Sequence, residues 1–203
     1  MPKHHLLFAL IAIVFSGHEP ALSQFPIPKP EVFARKEDQQ RAQLLTKACV
    51  EADVGRGCNR SNGALMRDYP CTSLKSDIVV GLPTDQCYRM DEPRRYRGVW
   101  IDEFEGQQFI PEGTRPPKWP DGNSRTPGWR KRLEQARLAS IWLDTSRATF
   151  AKKPRVGGRK WIEFVGRKTR YPGLYGHLGM SGHEIIVDRV IALRECPPKG
   201  GCR

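Results

Sequence analysis

The chain has 203 residues, with 34 Lys and Arg against 22 Asp and Glu, a formal charge of +12, and six cysteines. That length suffices for one domain with a substantial core and is too short to favour two large ones. A cation excess of this size suits anionic partners such as nucleic acid, acidic polysaccharide or a lipid headgroup surface, and it also serves plain solubility.

Residues 1–23 begin with Lys3, His4 and His5, continue through the apolar run Leu6 to Phe15 and end in Ala21-Leu22-Ser23. This is the pattern of a secretory signal peptide cut after Ser23. The run is too short for a permanent membrane helix, which takes about 20 apolar residues. The expected mature protein is therefore periplasmic or secreted, with no transmembrane segment. In an exported chain Cys49, Cys58, Cys71, Cys87, Cys196 and Cys202 read as disulfides. None of their spacings is the C-x-x-C of a zinc site. The last two bracket Pro-Pro-Lys-Gly-Gly, a spacer that could close a small loop.

Residues 24–35 are proline-spaced, which predicts an extended arm. From Lys36 to Ala52 there is no proline or glycine, Ala42, Leu45, Ala48 and Cys49 recur at helical spacing, and acidic residues lie toward the start. An amphipathic helix follows. The rest of 36–93 is rich in Gly, Asn, Asp and Pro and needs its cysteines for order; Asn59-Arg60-Ser61 matches a glycosylation acceptor.

Residues 94–203 read as a β domain. "RYRGVWIDEFEGQQFI", "ASIWLD", "RKWIEFVGRK" and "EIIVDRVIAL" are short β-rich runs bounded by turn residues. Between the first two lies an irregular loop, Pro111 to Trp129, and then "RKRLEQAR", enough for two helical turns. Short strands with long loops favour a sheet that closes on itself, because open edges invite aggregation. The expected class is α+β, mainly β: a small antiparallel OB-like barrel or sheet with an N-terminal helix and a disulfide-braced loop region.

The segments "YRGVWIDEFEGQQFIP", "IWLD" and "FVGRKTRYPGLYGHLGMSGHEIIVDRVIALR" resemble a domain of exported bacterial proteins. Its marks are a G-x-W/Y strand, an F-E-x-x-x-F element and a Y-G-H-L-G turn before the final strand. Phe104, Glu105, Phe109, Tyr175, Gly176, His177, Leu178 and Gly179 match; His183 stands outside the pattern. The resemblance covers the C-terminal half and implies an envelope location and a β domain, with no activity attached.

Signal removal would leave His177 and His183 as the only histidines. Both lie in "YGHLGMSGHE", beside Glu184. A catalytic zinc wants three protein ligands and an open position, so a metal site on these two histidines needs a carboxylate from elsewhere. The glycines argue against an HExxH helix and for a turn. One option is that Glu105 reaches His177 and fixes its tautomer, and strand alternation puts Glu103 and Glu105 on one face, Asp102 with Trp100 on the other. Two neighbouring carboxylates sit near the lower limit of glycosidase spacing. There is no G-x-S-x-G, and "VGGRK" lacks the outer glycine and the Ser or Thr of a phosphate loop. No cofactor is implied.

The basic residues cluster in two runs, Arg94 to Arg97 and Trp129 to Arg132. Trp119 and Trp129, with Arg130, Lys131 and Arg132, are the binding candidates. The leading expectation is a binding or structural module that contacts an anionic envelope component or another envelope protein. Export disfavours intracellular nucleic acid as a partner. The alternative is an envelope hydrolase or metal-dependent enzyme using His177 with Glu105 or Glu184.

Overall fold

A computed structural model describes residues 29–51, 70–75, 78–103, 106–122, 126–150, 154–197 and 202. The expected signal segment, residues 24–28 of the arm, Cys58, the Asn59-Arg60-Ser61 triplet, Phe104 and Glu105 lie outside the described residues, as does the side chain of Cys49.

The arm differs from the extended linker its prolines suggest. Pro30–Val32 form a 3-10 turn, and Val32 and Phe33 are buried. Proline fixes the turn, but the two apolar residues after it supply enough burial to dock the segment. Helix α1, Lys36–Glu51, opens with Glu37 and Asp38, which complement the positive end of its dipole. Asp38 is fully buried. It accepts hydrogen bonds from Arg35 Nε at 2.5 Å and Nη2 at 2.8 Å, and from the Cys71 amide at 3.2 Å. Burial alone would raise this carboxyl; the three donors outweigh it and hold it below the ordinary range.

The hairpin of β1, Thr72–Lys75, and β2, Ile78–Gly81, leads into the one-turn helix α2, Thr84–Cys87. A disulfide joins Cys71 to Cys87, with Cα atoms 5.2 Å apart. Val32, Phe33, Ala42 and Cys87 form a small core flanked by Tyr88 and Tyr171. This unit is laced to the second half: the Asp91 amide donates to Lys168 O at 2.7 Å and Arg170 N to Arg89 O at 2.9 Å. Tyr88 stacks on Phe33 and meets Tyr175 edge-on.

Five strands then close a barrel: β3 Arg94–Ile101, β4 Gln108–Pro111, β5 Ile141–Asp144, β6 Arg159–Lys168 and β7 His183–Glu195. Their order is β3-β4-β5-β7-β6, with β6 returning to β3. Helix α3, Trp129–Ala139, precedes β5. The expected OB-like closure is present, with one correction to an all-antiparallel sheet: β5 and β7 pair in parallel. β6 lies between them in the chain and runs opposite to both, so the chain reverses twice and β5 and β7 point the same way.

The runs alternate as strands on a half-buried surface should. Trp100, Phe109, Leu143, Ile162, Phe164, Ile185 and Val187 fill the interior, where each Leu, Ile, Val or Phe contributes about 1.5–3 kcal/mol. Register shifts between Glu163 and Phe164 and between Val165 and Gly166 bend β6 against β7, which tightens the curl. A Cβ at Gly98 would collide with the Ile110 carbonyl, so only glycine lets β3 and β4 approach there. Cys196 and Cys202 close the C-terminal loop, Cα atoms 5.0 Å apart.

Candidate functional site

The glycine-spaced stretch folds as a compact turn packed on the end of α3. Tyr175 and Ser181 exchange backbone hydrogen bonds at 2.9 and 3.0 Å, and Gly182 N donates to the carbonyls of Arg137 and Ser140. Arg137 donates to the Gly173 carbonyl and pairs with Glu134 at 2.6 Å. Gly176 has φ 68° and ψ −164°, and a Cβ there would strike the Trp142 ring. His177 opens the 3-10 turn His177–Gly179 and is half-buried. Leu178 sits inside this turn at φ 52°, ψ 19°.

His183 begins β7. Its Nδ1 stands 3.1 Å from Thr169 O and 3.2 Å from Thr169 Oγ1; a carbonyl only accepts, so this nitrogen carries the proton and Nε2 is left as the acceptor. Burial, helped by the Lys168 charge, pushes the imidazole below its ordinary pKa. Glu184, the next strand residue, points to the opposite face. His183 and Glu184 therefore serve different environments. Among the described residues no group of three or more His, Cys, Asp and Glu side chains is placed to hold a metal ion.

Glu184 is only 7% exposed and faces α2, where it accepts a hydrogen bond from Thr84 Oγ1 at 3.1 Å. Burial pushes its carboxyl up to about 7, against the Thr84 bond and with help from the nearby Asp144 and Asp85 charges. Asp85 accepts from Arg147 at 2.7 Å and Arg167 at 3.3 Å, and Arg167 also pairs with Asp188 at 2.9 Å. This polar seam joins the disulfide-braced unit to the outside of the barrel. A carboxyl so enclosed can exchange a proton near neutral pH.

A second polar group closes one end of the barrel. Lys160 is fully buried; its Nζ donates to Asp102 at 2.9 Å and Gly157 O at 2.7 Å, and lies 4.9 Å from the Trp100 ring centre. Gln107 accepts from Trp100 Nε1 and donates to Asp102, each at 2.7 Å. Burial alone would raise the Asp102 carboxyl, yet Lys160, Gln107 and the Gly157 amide hold it low. Each of these polar groups has its partners, as a buried network requires. Strand alternation flags it in the sequence, since Lys160 shares a face with Ile162 and Phe164. The Thr84–Glu184 and Asp85–Arg147 contacts carry no such mark, because their partners are distant in sequence.

The two basic runs differ. Arg94, Arg95 and Arg97 are answered by Asp91 at 3.6 Å, Glu163 at 2.7 Å and Glu112 at 2.8 Å. Arg115, Lys118, Arg130 and Lys131 are exposed and have no acidic partner among the described residues. Arg130, Lys131 and Arg132 occupy the first turn of α3, which contains no acidic residue and has no side-chain cap. Arg132 donates to Pro127 O at 3.0 Å. Trp119 is 37% exposed. Trp129 is half-buried, and its Nε1 is buried with no hydrogen-bond partner among the described residues, so Trp119 is the more exposed ring of the two.

No protein-family model, curated protein or solved structure matches this chain.

Proposed function

We propose that the protein is a secreted or periplasmic binding module that holds an anionic component of the cell envelope through Arg115, Lys118, Arg130 and Lys131, with Trp119 beside them. The observation that carries this reading is that these four cations are exposed without acidic partners among the described residues, whereas the Arg94 to Arg97 run is neutralised within the fold. Cations in the first turn of α3 also oppose its dipole, at a stability cost of about 0.3–1 kcal/mol each. An outside anion would relieve that repulsion. Export rests on the signal-peptide pattern of residues 1–23, and the disulfides suit an oxidising compartment.

The test is binding to immobilised dextran sulfate. Affinity falls steeply with salt, as the screening length contracts from about 10 Å at 0.1 M to about 3 Å at 1 M. Replacing Arg130 and Lys131 together by Ala weakens binding about tenfold, while Arg95→Ala and His177→Ala leave it unchanged. Equal losses from the Arg95 and the Arg130/Lys131 variants would remove the site from α3. Loss with His177→Ala would favour the enzyme reading.

A further inference from the structure

The turn that carries His177 also carries the most conspicuous apolar exposure near α3. Leu178 is 74% exposed and Met180 41% exposed. Leu138, near the C-terminal end of α3, is likewise 41% exposed. The three belong to one junction, since Gly182 packs directly on the Leu138 backbone and Arg137 holds the Gly173 carbonyl. Leu178 has a left-handed backbone, φ 52°, which a side chain with a Cβ adopts only at a cost. Glycine or asparagine would make this turn more cheaply. A leucine kept there and turned to solvent returns nothing to the fold, and such outliers point to function.

Lys131 and Leu138 are seven residues apart on α3, two helical turns, so they share one stripe. The helix, about 16 Å long, thus runs from exposed cations at one end to an apolar junction at the other. Membrane-surface elements have this combination: cations meet headgroup phosphates while leucine and methionine enter the acyl boundary. A soluble polysaccharide would use the cations and leave the apolar junction idle.

Resting on the anionic-partner reading above, we infer that the partner is an anionic lipid surface, with Arg130 and Lys131 engaging its phosphates and Leu178, Met180 and Leu138 entering its outer apolar layer. The peripheral contact needs no spanning helix, and none of the described helices is long and apolar enough to cross a membrane.

The oxidised protein is mixed with vesicles of phosphatidylglycerol in phosphatidylcholine, vesicles of phosphatidylcholine alone, and soluble dextran sulfate, and binding is measured by co-sedimentation and fluorescence. The variant Leu178→Asn with Met180→Ser removes the apolar groups, adds no charge and keeps a residue that tolerates the left-handed backbone; circular dichroism checks its fold. The expected result is binding to the anionic vesicles and little to phosphatidylcholine alone. The variant loses at least about tenfold in vesicle affinity and keeps its dextran sulfate affinity. Vesicle binding untouched by the variant, or equal on both kinds of vesicle, overturns the lipid assignment. Dextran sulfate binding without vesicle binding overturns it too and leaves the anionic-partner reading standing; binding to none of the three overturns both.

Discussion

Glu184→Gln isolates one proton in the seam between α2 and the barrel. The folded carboxyl is raised from 4.5 to about 7, so between those values the folded state binds more protons than the unfolded one. Stability is then full below about pH 4.5 and is lost as pH rises through about 7. The shift of roughly two and a half units corresponds to about 3 kcal/mol at 1.36 kcal/mol per unit. Glutamine keeps an acceptor for Thr84 Oγ1 and cannot ionise beside Asp85 and Asp144. Urea unfolding of both proteins at pH 5 and pH 8 reads the difference. The stability of the Gln variant relative to the wild type should rise by about 2–3 kcal/mol between pH 5 and pH 8. Taking the difference cancels to first order the contribution of groups common to both proteins, such as His183. An unchanged gap between the proteins from pH 5 to pH 8 would refute the placement of Glu184 as a buried, near-neutral carboxyl.

Two further predictions concern stability. Lys160→Met leaves Asp102 charged at the closed barrel end without its cation, and thermal or urea unfolding should show a loss of about 3–5 kcal/mol; a loss below about 1 kcal/mol would mean the pair is not buried as described. Removing the Cys71–Cys87 bridge by paired Ala substitutions should cost about 3 kcal/mol for a loop of this length. Peptide mapping of the oxidised protein should recover Cys71–Cys87 and Cys196–Cys202.

The barrel was the legible part of the chain. The "RKWIEFVGRK" run coincides with β6, and the "EIIVDRVIAL" run lies within β7, because period-2 burial marks strands wherever one face is packed. The parallel β5–β7 pair was not legible: it follows from which strands meet around the closed sheet, and local pattern is blind to that. Proline spacing at residues 24–35 obscured the burial of Val32 and Phe33, since their partners Ala42 and Cys87 come from segments that look unpromising alone. Charge was the most misleading feature. Arg94 to Arg97 and Trp129 to Arg132 look equivalent in sequence, yet Glu163 and Glu112 reach the first run from other strands and loops while Arg130 and Lys131 stay open.

The claim that Arg130 and Lys131 are held for an anionic partner, at the expense of α3, is tested most directly by Arg130→Glu with Lys131→Glu. Reversing two charges in the first turn should raise unfolding stability by about 1–2 kcal/mol, and binding to dextran sulfate, measured on the same preparation, should disappear. A less stable variant, or one that still binds the polyanion, would contradict the account.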